Sequence, residues 1–354
     1  MTKDSLPMDK ILIVKMSALG DVIMALPALQ ALRKRYPEAI IDWLVEAPYS
    51  GVLTGDPNLS RVLLSPRQEM GQLVDAGKLT MVGRVFSSFY IDLRRVKYDV
   101  VIDLQGLLKS AFFAWLSHGK RKIGFEYSRE RTGFFLNEKM PSYDPERHAV
   151  LRYLDAAVYL GAEMPNPLPT RYYTPPPEAV ADAEMLLGYN GIDSNYIVLN
   201  PGAKWESKRW PLEHWKALAA LFRRQGARLV ITGGKGDKAW CDEIYQAAPK
   251  ASLNLCGHTS LPILGAIMEN SSLVVTADTG PMHLAAAVGA KGIAIFGPTR
   301  PWRTGPFGGR FKIITPDLDC LGCLRRVCDD PNKPCLAALS PETVFSAALS
   351  MIES

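Results

Sequence analysis

Long apolar runs are missing from this 354-residue chain. No uninterrupted stretch approaches the ~20 residues that cross a bilayer, which argues against a transmembrane helix. The opening residues, MTKDSLPMDK, carry no apolar signal-peptide core, so a cytoplasmic location is expected. Cysteine is scarce. Four of the six crowd between 320 and 335, unlike the spread of a secreted disulfide framework. Excess charge is small as well: a net +5 is too mild to indicate nucleic acid, and none is expected as a partner. The glycine-rich TGGKGDK at 232–238 fits neither G-x-x-x-x-G-K-[ST] nor G-x-G-x-x-G, and no glycine fingerprint follows the first strand. That excludes a P-loop ATPase and an ordinary nicotinamide fold. No internal repeat stands out.

What remains is an ordinary globular composition, 47% hydrophobic and 22% charged, in a chain long enough for two cores. KILIVKM reads as a buried strand, and Val22, Ile23, Leu26, Leu29 and Leu32 then follow helical spacing. AIIDWLVE and YDVVIDLQ are strand-like. In the second half, YIVLNPGA, ARLVITGG, ASLNLCG, SLVVTAD and KGIAIFGP alternate with helical segments. Such alternation implies parallel sheets with helices on both faces. The segment EMPNPLPTRYYTPPPEA at 163–179 holds six prolines and can neither continue a helix nor sit centrally in a sheet. It divides the chain into domains 1–170 and 171–340. Ser340, Pro341 and Glu342 then read as the start of a terminal helix over 341–354.

Ligands of open α/β sheets bind beyond the carboxyl ends of strands. Asp21 follows the first strand there, in KMSALGDVIM, and Asp278 follows SLVVTA in the second half. Taken singly, each reads first as a helix N-cap; together they suggest two domains facing each other, with polar strand ends lining the cleft. In ADTGPMHLAAAVG, Thr279 and Gly280 present backbone N–H groups at a helix start, a phosphate-binding geometry. His283 falls on the first turn, either near that anion or as a satisfied core histidine. Lys204, Lys208 and Arg209 lie in a loop before a helix and suit a diphosphate; Trp205, Trp210 and Trp215 read as packing anchors. Asp237 suits a ribose.

Between Lys109 and Lys139, seven basic residues face three acids, a local +4 that points to an anionic partner or a solvated basic face. The thiols Cys320, Cys323, Cys328 and Cys335 read C-x2-C-x4-C-x6-C. The second pair lacks the tight spacing of a zinc ribbon, and a redox-sensitive or merely tolerated cluster is the favoured reading.

Four segments together, ILIVKMSALGDVIMALPAL, VIDLQGLLKSA, NPGAKWESKRWP and ADTGPMHLAAAVGAKGIAIFGPT, resemble the lipopolysaccharide heptosyltransferases of glycosyltransferase family 9. DLQGLLKSA followed by SRERTGFF is most similar to heptosyltransferase I. The resemblance implies an α/β GT-B fold, two Rossmann-like doubly wound domains facing across a cleft. The first domain takes a Kdo-lipid A acceptor, the second takes ADP-heptose, and the last helix crosses back to the first domain. The implied chemistry is inverting heptosyl transfer in lipopolysaccharide core biosynthesis, at the cytoplasmic face of the inner membrane.

By the same resemblance Asp21 is the general base and Lys15 orients it or the acceptor. Lys208, Thr279 and Gly280 meet the leaving diphosphate; Asp278 and His283 contact the donor; Asp237 binds the adenosine ribose. Ala203 and Lys204 depart from the hydroxyl residues common there. No metal and no cofactor are implied. Lys109, Arg121, Lys122, Arg129 and Arg131 are expected to grip the anionic acceptor and draw the enzyme to an anionic membrane surface, and a monomer is expected. Two alternatives stay open: a family member with another acceptor (a second heptose or a protein), and a non-catalytic nucleotide-sugar-binding protein.

Overall fold

The computed structural model describes residues 8–126, 130, 132–192, 194–330 and 335–353. The chain forms two compact units, Met1–Pro167 and Leu168–Ser354, so the division falls inside the proline-rich segment.

In the first unit, six strands form one parallel sheet: β1 (Lys10–Val14), β2 (Ile40–Glu46), β3 (Arg61–Ser65), β4 (Tyr98–Asp103), β5 (Gly119–Phe125) and β6 (Glu138–Met140). Their order is β3-β2-β1-β4-β5-β6. The central strand is apolar because both its faces are covered: Ile11, Leu12, Ile13 and Val14 are fully buried. Each such side chain contributes about 1.5–3 kcal/mol on burial. The chain runs outward through β2 and β3, then returns to place β4 against the other side of β1. The loops after β1 and β4 therefore meet at the point where strand order reverses, where a crevice opens in doubly wound sheets.

The second unit repeats the plan with β7 (Tyr196–Asn200), β8 (Arg228–Ile231), β9 (Ser252–Asn254), β10 (Leu273–Ala277), β11 (Gly292–Ile295) and β12 (Phe311–Ile314). The order is β12-β11-β10-β7-β8-β9, all parallel, and the reversal lies between β7 and β10. Trp210 and Trp215 are fully buried with rings 5.1 Å apart, edge to face, as packing anchors should be.

The terminal helix Pro341–Glu353 starts as its sequence signals: the Ser340 hydroxyl accepts from Thr343 N at 3.2 Å. One face of it packs within the second unit. Val344, Ala347 and Ala348 are buried in the core of the second unit, and Phe345 meets Phe222 edge to face at 5.2 Å. Those apolar positions recur every three or four residues, a stripe that the helix Leu212–Arg224 of the same unit covers.

Candidate active site

At the reversal of the first sheet, Lys15 is the first residue beyond β1 and is buried. Its ammonium donates to Leu104 O at 3.1 Å and lies 3.5 Å from Asp21 Oδ1. Burial pulls the Lys15 pKa below the ordinary lysine value, against the opposing pull of Asp21 and Asp103. Asp21 sits on the first turn of the helix Leu19–Met24, with a 41% exposed side chain. One oxygen accepts from Ala18 N at 3.4 Å; Ala18 is the N-cap and Asp21 the third helical residue, so the N-cap reading is corrected to a long reach back to the cap N–H. The other accepts from Tyr153 OH at 2.8 Å. The two oxygens thus divide the work: one holds the helix start, and one joins a lysine and a tyrosine.

Sequence reasoning missed Tyr153. It lies on the helix Ala149–Tyr159, far along the chain, and only tertiary packing brings it to Asp21. The Lys15 ammonium rests 4.6 Å from its ring centroid. Burial, then the neighbouring Asp21 charge, holds the Tyr153 phenol well above its usual pKa, so it remains a donor. Arg152 on the same helix adds a positive charge that acts on both Lys15 and Tyr153.

Beneath this group lies Asp103, the last residue of β4 and fully buried. It accepts from Gln105 N at 2.9 Å, Gly106 N at 3.2 Å and Ser110 Oγ at 3.0 Å, which shapes the loop after β4. Gln105 Oε1 in turn accepts from Met16 N and Ser17 N, both at 3.0 Å, and pins the loop after β1. Burial raises the Asp103 pKa to about 6, against those hydrogen bonds and Lys15. The unfolded value is near 3.9. The folded protein therefore holds an extra proton between about pH 4 and 6. The stabilisation is complete below that window and is lost as pH rises through about 6. Asp103→Asn should remove this dependence. In denaturant melts from pH 4 to 7, the wild type should lose ~2 kcal/mol relative to the variant. A pH-independent difference would mean that Asp103 titrates alike in both states.

The residues expected to grip an anionic acceptor separate into three groups. Lys109 belongs to the site: its ammonium donates to Ser17 Oγ at 2.7 Å and pairs with buried Glu46 at 3.0 Å. Glu46 also pairs with Arg67 at 3.2 Å. Arg121 and Lys122 lie apart from this group. Both lie on β5 before Gly124, the residue level with Asp103, and so away from the strand ends. Arg121 makes two 2.7 Å bonds to Glu138 on adjacent β6, and Lys122 donates to Trp115 O at 2.6 Å. Arg129 and Arg131 lie outside the described residues.

The second sheet presents its own polar group at its reversal. Lys208 ends the short turn Glu206–Lys208 after β7, and Asp278 follows β10; they form a largely buried ion pair at 2.7 Å. Thr299 Oγ1 also donates to Asp278 Oδ2. The Lys208 ammonium lies 4.6 Å from the Trp205 ring centroid and Arg326 lies 5.6 Å from it, so Trp205 is a cation platform rather than a core anchor. Thr279 and Gly280, half buried, begin the helix Gly280–Ala287, and His283 is buried within it. Asp237 accepts from Gly234 N at 3.0 Å and packs on the loop after β7, where a Cβ on Gly202 would lie 2.3 Å from Asp237 Oδ2. Only glycine permits that approach.

Among the described residues, no group of three or more His, Cys, Asp or Glu side chains is arranged to hold a metal ion. The four clustered cysteines are free thiols.

Two parallel doubly wound units, each with a lysine–carboxylate pair at its strand-order reversal, match the two-domain architecture of a solved heptosyltransferase. The chain belongs to glycosyltransferase family 9 (heptosyltransferase), whose sequence profile matches residues 87–333. It is 29% identical to the lipopolysaccharide heptosyltransferase 1 of Pseudomonas aeruginosa over 329 residues, covering 90% of this chain and 87% of that protein. To the lipooligosaccharide heptosyltransferase 2 of Haemophilus influenzae it is 30% identical over 325 residues, covering 86% and 88%. Among solved structures, the Escherichia coli heptosyltransferase WaaC with ADP superposes with a TM-score of 0.79 at 26% identity, covering 97% of this chain and 99% of that one.

Proposed function

We propose that the protein transfers heptose from ADP-heptose to a Kdo hydroxyl of the inner core on lipid A, with inversion at the anomeric carbon. The observation that carries this reading is Asp21: a partly exposed carboxylate beyond the central strand, set against Lys15 and Tyr153. Asp21 takes the proton of the acceptor hydroxyl as its oxygen attacks the anomeric carbon. The bond from that carbon to the diphosphate oxygen breaks, and ADP leaves with the electron pair. Lys15 holds the Asp21 carboxylate by charge, and Tyr153 fixes its direction.

In the second domain, Lys208 meets the growing diphosphate charge, joined by the backbone N–H groups at Thr279 and Gly280. Asp278 and Thr299 keep the Lys208 ammonium in place, and His283 lies on the same helix. Asp237 accepts from the adenosine ribose. Lys109 contacts the acid groups of the acceptor, with Arg129 and Arg131 as further acceptor residues. ADP-heptose as donor and a lipid-linked core acceptor accord with the names of the relatives, and the enzyme acts as a cytoplasmic protein at the inner membrane surface.

The test is ADP release with ADP-heptose and a ladder of acceptors. Kdo-lipid A without heptose should turn over fastest. Preference for an acceptor already carrying one heptose would assign the second-heptose reaction, which the similarity to heptosyltransferase 2 relatives favours as the alternative. ADP-heptose binding without turnover on any acceptor would make it a non-catalytic binding protein.

Tyr153→Phe isolates the positioning part of this reading. Loss of a hydrogen bond to a charged group costs about 1.5–3 kcal/mol, so kcat should fall roughly ten- to a hundredfold while donor KM holds. The acidic limb of the pH–rate profile should move to higher pH, because a carboxylate that loses a donor binds its proton more tightly. A uniform fall in rate with an unmoved limb would reduce Tyr153 to packing.

A further inference from the structure

The helix Leu108–Leu116, LKSAFFAWL, is apolar on nearly every side. Such a helix in a soluble protein is ordinarily buried all round. Here only one face is: Ser110, Ala111, Phe113 and Ala114 pack inward, with Phe113 edge to face on Phe89. Leu108, Phe112 and Trp115, spaced at i, i+4 and i+7, form an exposed stripe on the other face, and Trp115 is 50% exposed. The stripe is extended sideways by Phe135, whose ring lies 6.4 Å from Phe112 and 6.2 Å from Trp115; its neighbour Phe134 is 92% exposed. Contiguous exposed aromatics of this kind mark an interaction surface.

Two cations close the end of the stripe. Lys122 donates to Trp115 O at 2.6 Å and Arg94 donates to Leu116 O at 3.2 Å. Their charges are near enough to act on each other. Aromatic rings with lysine and arginine at one edge match the bilayer interface, where Trp and Phe enter the headgroup–acyl boundary and cations meet lipid phosphates. The other end of the stripe, Leu108, adjoins Lys109, which reaches Ser17 in the loop after β1.

We infer that the exposed stripe Leu108–Phe112–Trp115, with Phe134 and the cations Arg94 and Lys122, is the face by which this domain docks on an anionic lipid bilayer. This deepens the proposed reading of a lipid-linked acceptor and rests on it. It also gives Lys122 a partner: a lipid phosphate at the membrane surface rather than a group at Asp21.

Flotation of the protein with vesicles tests the inference without turnover, so its failure leaves the transfer reaction standing. The wild type should bind mixed phosphatidylglycerol–phosphatidylcholine vesicles more tightly than phosphatidylcholine alone. Phe112→Ser/Trp115→Ser should weaken partitioning onto both by tenfold or more, roughly, from lost apolar insertion. Arg94→Gln/Lys122→Gln should weaken binding about fivefold per charge on the anionic vesicles only. If the aromatic double variant melts early, Trp115→Ser alone carries the measurement. Absent binding by the wild type, or equal binding by wild type and variants, overturns the proposal. So does a wild-type dimer in ultracentrifugation that the aromatic variants dissolve, since a second copy of the chain would then cover the stripe.

Discussion

Asp21→Asn should lower turnover by roughly 10²–10⁴-fold, the usual worth of a general base, with donor affinity unchanged. The substitution is nearly isosteric. The side-chain oxygen can still accept from Tyr153 OH, and Lys15 keeps Leu104 O and the charge of Asp103 as partners. What is lost is the carboxylate that takes the proton. Single-turnover kinetics with saturating donor would place the loss in the chemical step. Near-normal turnover in a folded Asn variant would leave Asp21 with only the helix-start role that its 3.4 Å bond from Ala18 N already shows.

Lys208→Ala should cost about 10²–10³-fold in kcat, because diphosphate charge grows as the glycosidic bond breaks and an aimed cation is worth most at that moment. Stability enters the result and has to be separated. Asp278 is only 5% exposed and pairs with Lys208 at 2.7 Å. Removing one partner of a buried pair leaves an uncompensated charge and typically costs ~3–5 kcal/mol. The double variant Lys208→Ala/Asp278→Ser removes that charge as well. It should regain most of the thermal stability and none of the activity, and ADP affinity by calorimetry should stay weak. Recovery of activity along with stability would reduce Lys208 to a counter-ion.

Much of the molecule was legible where local pattern and tertiary role coincide. KILIV is apolar throughout because the central strand is covered on both faces, and the residues after it had to be the loop at the strand-order reversal. The loops carrying Lys208 and Asp278 were readable in the same way, as polar residues directly beyond buried strands. What escaped depends on partners distant in sequence. Tyr153 has no local signature, since its role exists only where its helix meets Asp21. Arg121 counted toward a basic segment, yet Glu138 neutralises it across adjacent strands, a pairing invisible until β5 and β6 are aligned. GKRKIGF was missed as a strand because glycine and three basic residues mask its pattern. The final helix was recognised, but not what covers it: its apolar stripe says that something does, and only the fold says that Phe222 takes part.

The stereochemistry of the product tests the account most directly. With ADP-heptose and heptose-free Kdo-lipid A, NMR of the isolated glycolipid should show one added heptose whose anomeric configuration is opposite to that in the donor, as attack by an Asp21-deprotonated hydroxyl requires. A retained configuration would rule out the single in-line displacement that Asp21 serves as base, and release of ADP with free heptose alone would make the reaction hydrolysis; either result would contradict the account.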